Sequence, residues 1–167
     1  MNHPLEKHIR NVPDFPKPGI MFKDITPVMR DHFDEMIAAL CEEIPWGEID
    51  SVIGIESRGF ILGAAMAQRQ GKGFIPVRKK GKLPPPLLSE TYALEYGTDT
   101  LEMLVTDRPA RVLLVDDVLA TGGTLRATMA LCERNQLDVR AMAVFINLSF
   151  LNNFKAQGLP LRAVLNY

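Results

Sequence analysis

Two kinds of hydrophobic spacing alternate along this chain. Phe33, Met36, Ile37, Leu40, Cys41 and Ile44 recur at i, i+3, i+4, i+7, i+8 and i+11. That spacing puts them on one face of an α-helix, with Asp31 as its candidate N-cap. Ser51–Ile55 and Gly73–Val77 are short continuous apolar runs, as are Arg111–Val115, Val139–Asn147 and Leu161–Leu165. Their length and β-branched content predict strands. Between them, Phe60–Gln70 (behind a possible Ser57 cap) and Thr124–Gln136 (Leu125, Met129 and Cys132 on one face) read as helices. A short helix is expected over Pro4–Arg10, and two prolines and a glycine bar regular structure from Asp14 to Gly19.

Strand and helix in alternation predict an α/β domain: a mainly parallel central sheet flanked by helices. Apolar strands without polar alternation suit a sheet covered on both faces. In such sheets ligands bind beyond the carboxyl ends of the strands. That directs attention to the residues after Ile55, Val77, Val115 and Ile146. From about residue 79 to 105 the alternation breaks. Tyr92, Leu94 and Tyr96 alternate with Ala93 and Glu95, and Leu101, Met103 and Val105 alternate after them. We read a projecting β-arm with a flexible loop near its tip, and an excursion this long is usually functional.

Composition narrows the classes. The 167 residues suit one domain, and 47% hydrophobic with 23% charged residues suits a packed core. A net charge of −1 argues against a general binder of nucleic acid or membrane surfaces. No run approaches the roughly 18 apolar residues of a membrane span, and the first residues lack a signal peptide's apolar stretch. A cytoplasmic protein is expected. His3, His8 and His32 have no metal-ligand spacing, and Cys41 and Cys132 read as buried free thiols.

The chemistry concentrates in VLLVDDVLATGGT, Val112 to Thr124. Thr121-Gly122-Gly123-Thr124 follows a strand and opens a helix, where backbone N–H groups and the helix dipole can hold a phosphate. By itself the turn serves equally as a plain strand-to-helix connection. It is neither a Walker A loop nor G-x-G-x-x-G. Asp116 and Asp117 are poor core residues, because adjacent carboxylates in apolar space need partners. As pure acceptors they suit the hydroxyls of a diol. One ligand reconciles acids and phosphate nest: a ribose 5-phosphate. Arg58, behind another strand end, can hold a pyrophosphate or can be a solvated helix-start cation. Arg78, Lys79, Lys80 and Lys82 form either a charged surface loop or a second anion site.

The same stretch closely resembles the phosphoribosyl pyrophosphate motif of type I phosphoribosyltransferases. Asp14–Ile25, Gly54–Phe60, Arg78–Pro84 and Leu94–Gly97 resemble, in the same order, the adenine-using members of that family, over about residues 14 to 150. The resemblance implies transfer of the 5-phosphoribosyl group to adenine, giving AMP and pyrophosphate. It assigns Asp116 and Asp117 to the ribose hydroxyls, and Ala120, Thr121, Gly122, Gly123 and Thr124 to the 5′-phosphate. Arg58, Arg78, Lys79 and Lys82 go to pyrophosphate, partly across a homodimer interface. Met21, Phe22, Lys23 and Ile25, in an N-terminal hood of about residues 1–30, go to adenine with Val118 opposite, although a hydrophobic plug explains that stretch equally well. Glu95 is assigned to protonation at purine N7 and Tyr96 to the closed loop, while an exposed arm carboxylate is the plainer account of Glu95. Mg²⁺ is implied as a cofactor held mainly by substrate, with no direct protein ligand. Transfer to another nucleobase, or a non-catalytic regulator that binds phosphoribosyl pyrophosphate, are the alternatives. The chain departs from the family pattern at Lys23, where arginine is usual, at Pro84–Pro86, and at 148–153, where acidic and glycine residues are common.

Overall fold

The computed structural model describes residues 3–94 and 97–167. Asp14–Gly19 is irregular, as its prolines require, but the residues on either side of it pair. β1 (Arg10–Pro13) and β2 (Met21–Asp24) form an antiparallel ribbon, with Val12 opposite Phe22. Asp14 closes the connection by accepting the Gly19 N–H at 2.7 Å. The ribbon has no long apolar run and was not foreseeable as strands from its pattern. Ahead of it lies a 3₁₀ turn at Pro4–His8.

Two helices follow where one was expected. α1 (Thr26–Asp31) ends at Asp31, so Asp31 does not cap α2 (Phe33–Cys41). Its carboxylate pairs instead with Arg30. β3 (Ser51–Ile55) leads into α3 (Arg58–Arg69), which starts two residues earlier than its apolar pattern, and the Ser57 hydroxyl makes no capping bond. β4 (Gly73–Lys79) runs parallel to β3. The arm is a hairpin of β5 (Leu87–Ala93) and β6 (Thr98–Leu104). It extends the main sheet, because β6 pairs with β4 at Arg78↔Glu102 and Lys79↔Leu101. β7 (Ala110–Leu119), α4 (Gly123–Arg134), β8 (Leu137–Asn147) and β9 (Leu161–Asn166) complete a seven-stranded sheet ordered β5-β6-β4-β3-β7-β8-β9.

Apolar layers cover both faces. Val52, Leu113 and Val115 face one layer with α2 and α3, and Ile53, Val112 and Leu114 face the other with α4. This is the period of two that a strand imposes. Each wholly buried leucine or isoleucine there contributes roughly 1.5–3 kcal/mol. The alternation slips by one across Asp116 and Asp117, since Val118 packs on the α2–α3 layer and Leu119 on the α4 layer. The centre of the candidate site therefore lies where the side chains of this largely buried strand change faces. Cys132 is buried and its thiol is pushed up to about 12 by desolvation, while Cys41 is only partly buried, and both are free. Among the described residues no helix is long and apolar enough to cross a membrane.

Candidate active site

The sequence pattern ends the strand at Val115, but pairing with β8 continues through Asp116↔Val144 to Leu119↔Asn147. The two acids are therefore strand residues, 7% and 8% exposed. The Asp117 N–H donates to Asp116 Oδ1 at 2.9 Å. The first turn of α3 presses against them. A Cβ on Gly59 would stand 2.9 Å from the Val115 carbonyl and 3.2 Å from Asp116 Oδ1. That close approach brings Arg58 Nε to 2.6 Å from Asp117 Oδ2. The contact is ionic but poorly aligned, and this oxygen has no well-formed hydrogen bond among the described residues. Burial, and then the charge and hydrogen bond of Asp117, hold the Asp116 carboxyl well above the usual carboxylate range, with Arg58 opposing. Two enclosed carboxylates in contact cannot both ionise freely.

Asp116, Val118, Ala120, Thr121, Gly122 and Thr124 line one cavity of about 250 Å³, with Leu94 at its edge. Gly122 has φ +84° and stands at the N-cap of α4, a twelve-residue helix. The turn thus presents backbone donors and a helix dipole to the cavity. Gly123, also chosen from sequence, begins the helix and does not line the cavity. Tyr92 of β5 backs it, and its hydroxyl, pushed up by burial, bonds the Thr124 side chain. Tyr92 carries no distinguishing pattern in the sequence.

A second cavity, of about 340 Å³, lies under the ribbon, lined by Arg10, Val12, Phe15, Phe22, Asp24 and Arg58 among others. Phe15 and Phe22 meet edge to face, 5.1 Å between centroids, and the Arg58 guanidinium lies 5.4 Å from the Phe22 ring. Asp24 accepts the Thr26 N–H at 2.9 Å and pairs with Arg10 at 2.7 Å. Its carboxyl is held low chiefly by the Thr26 hydroxyl, with burial opposing and Arg10 assisting. Of the four hood residues chosen from sequence, only Phe22 lines this space. Met21 is half exposed. Lys23 turns away, bonding Asn11 Oδ1 at 2.8 Å and lying 4.1 Å over the Tyr167 ring. Ile25 is wholly buried in the α2–α3 layer. The reason is strand alternation, which places Phe22 and Asp24 on one face and Met21 and Lys23 on the other.

Arg78, Lys79 and Lys82 gather at the carboxyl end of β4, and each of these three has a protein carboxylate. Glu56, whose side chain is 8% exposed, takes Lys82 Nζ in a short contact, Arg78 Nε at 3.3 Å and the Lys79 N–H at 2.9 Å. Burial opposes ionisation of Glu56, but Lys82 and its neighbours outweigh it and hold the carboxyl low. Lys79 Nζ lies 3.1 Å from Asp99 Oδ2 on β6. Glu56 lies in the Gly54–Phe60 segment yet carried no assignment from sequence. Glu95 and Tyr96 lie outside the described residues.

Residues 24–150 match the phosphoribosyl transferase domain family. The adenine phosphoribosyltransferase of Synechococcus sp. is 52% identical, with 96% of each chain covered. The crystal structure of adenine phosphoribosyltransferase from Rhodothermus marinus superposes with a TM-score of 0.89 at 49% identity, covering 98% of this chain and 96% of that one. The enzyme from Saccharomyces cerevisiae, solved with adenine and an imino-altritol bisphosphate, gives 0.86 at 36% identity and 96% coverage of both. The chain belongs to the phosphoribosyltransferase family and, within it, to the adenine phosphoribosyltransferases, enzymes of pentosyl transfer.

Proposed function

We propose that this chain transfers the 5-phosphoribosyl group of phosphoribosyl pyrophosphate to adenine, giving AMP and pyrophosphate in purine salvage. The observation that carries the reading is the cavity in which Asp116 meets the Ala120–Thr124 turn, with Arg58 of the aromatic cavity paired to the adjacent Asp117. The turn takes the 5′-phosphate through backbone N–H groups, and Asp116 and Asp117 accept from the ribose hydroxyls. Phe22, with Phe15 behind it, stacks on the base. Arg58 lines the aromatic cavity beside Phe22 and pairs with Asp117, the neighbour of Asp116, so it positions ribose and base relative to each other. Arg78, Lys79 and Lys82 take the pyrophosphate, and Val118 borders the ribose rather than the base.

As pyrophosphate leaves, positive charge develops at carbon 1 of the ribose. The chain's part is to hold N9 of the base in line, to receive the leaving charge and to exclude water. Glu95 is assigned to the proton at N7 and Tyr96 to loop closure by family resemblance. Mg²⁺ fits as a substrate-held ion, since it keeps several waters and the paired acids can meet its water shell. When bound, it neutralises charge on the departing pyrophosphate. A homodimer is proposed as well, in a cytoplasmic setting that suits two free thiols. Ile61 and Phe74, at 47% and 37% exposed, offer apolar area for a second copy.

Pyrophosphate release with Mg²⁺ and adenine, hypoxanthine, guanine, xanthine or orotate tests this. Release with adenine alone is expected. Release with a different base overturns the assignment of the aromatic cavity. Binding of phosphoribosyl pyrophosphate without release leaves a regulator.

A further inference from the structure

The segment that departs from the family pattern reaches the phosphate turn. Asn152, just past the end of β8, donates to Asn147 Oδ1 at 3.2 Å and to the Leu148 carbonyl at 2.8 Å. Its Oδ1 accepts the Phe154 N–H at 3.1 Å. Phe154 is thereby pinned against the α4 layer and under the turn. A Cβ on Gly122 would lie 2.6 Å from Phe154 Cδ2 and 3.0 Å from Arg126 Nη1. The Arg126 guanidinium sits 5.4 Å from the Phe154 ring and donates to the Thr121 carbonyl at 3.1 Å. Three contacts thus converge behind one turn.

We propose that Arg126 and Phe154 are positioning residues for the 5′-phosphate, acting through the Thr121–Gly122 peptide; this rests on the ribose 5-phosphate reading of that turn. In a planar trans peptide the C=O and N–H point in opposite directions. Arg126 lines a separate cavity and is not among the residues that line the 250 Å³ cavity. Holding the Thr121 oxygen toward Arg126 turns the Gly122 N–H toward the ligand. The guanidinium also adds positive charge one peptide behind the phosphate, and the Phe154 ring fixes the guanidinium plane. An arginine two residues past the Thr-Gly-Gly-Thr turn looks from sequence like an exposed helix cation. The structure makes it part of the anion site.

The test is calorimetric binding of ribose 5-phosphate, and separately of pyrophosphate, to the intact protein, with KM values for both substrates. Arg126→Ala is expected to weaken ribose 5-phosphate about tenfold, and to raise KM for phosphoribosyl pyrophosphate alike. Pyrophosphate binding and the adenine KM stay within about twofold, which a general loss of structure could not produce. Arg126→Gln, which keeps one donor without charge, retains most of the affinity. Phe154→Ala weakens it about threefold. Ribose 5-phosphate affinity unchanged in Arg126→Ala overturns the proposal, as does an Arg126→Gln no better than Arg126→Ala. Should Phe154→Ala not fold, the Arg126 pair decides. Wild-type protein that ignores ribose 5-phosphate would instead sink the reading of the turn itself.

Discussion

On the proposed function, the phosphate turn and the basic end of β4 serve the anionic ends of one substrate, but they are built for it differently. The turn offers backbone N–H groups and a helix terminus, partial charges that need no counterion and can face an open cavity. The basic end offers full charges, and every one of Arg78, Lys79 and Lys82 already contacts Glu56 or Asp99. A cluster of cations close to the protein interior repels itself, and a buried carboxylate relieves that. On that proposal, binding at the turn would be addition, whereas binding at the basic end would be exchange, with pyrophosphate displacing the Glu56 and Asp99 carboxylates. The paired aspartates are the converse of the basic end. There two carboxyls are held together in a buried strand, one of them kept well above its usual range, and among the described residues Arg58 is paired with them.

The largest effect should come from that acidic pair. Asp116→Asn removes a charged acceptor for ribose and should lower kcat/KM about 100-fold. It should also stabilise the free protein. A carboxyl whose folded pKa is raised stabilises the fold only while protonated, and that contribution is lost as pH climbs from the unfolded value, near 4, through the folded one. The Tm of Asp116→Asn should thus exceed wild type by a few degrees at neutral pH, roughly 2–4 °C per kcal/mol. The difference should vanish below about pH 4. A neutral-pH Tm no higher than wild type would show that the pair is not strained.

Gly122→Ala comes next, because φ +84° and the nearby Phe154 ring leave no room for a methyl. KM for phosphoribosyl pyrophosphate should rise roughly 30-fold. The basic end should give opposite signs for two neighbouring changes. Lys82→Ala should weaken pyrophosphate about tenfold, while Glu56→Gln, by removing the competitor, should tighten it about threefold at low salt. If Glu56→Gln weakens pyrophosphate instead, Glu56 positions the cations rather than competing for them, and the contrast drawn above fails. The smallest effect belongs to Lys23→Met, which should move the adenine KM by less than about twofold, since the ammonium faces Asn11 and Tyr167 and not the base.

What was legible in the chain follows the range of the signal. Ser51–Ile55 matches its strand to the residue, and α3 and α4 lie within two residues of their apolar patterns at each end, because burial between layers imposes period and length directly. The acids and the turn were legible because they lie together in one strand-to-helix connection. The β1–β2 ribbon was not, since it depends on pairing across an irregular loop, and so Phe22 was chosen along with three neighbours that alternation turns elsewhere. The paired state of Lys82 was also hidden. Its partner, Glu56, is brought to it by β3 and β4 lying side by side.

The sequence by itself determined the α/β layering, the family and the acid-plus-phosphate motif, because each is written in local spacing. Only the tertiary structure decided that Asp117 meets Arg58, that Lys23 bonds Asn11 and lies over the Tyr167 ring, that Arg78, Lys79 and Lys82 pair with Glu56 or Asp99, and that Arg126 and Phe154 meet at the Thr121–Gly122 turn. These depend on which side chains from distant segments share a few ångströms of space, and charge and hydrogen bonding act only over such distances.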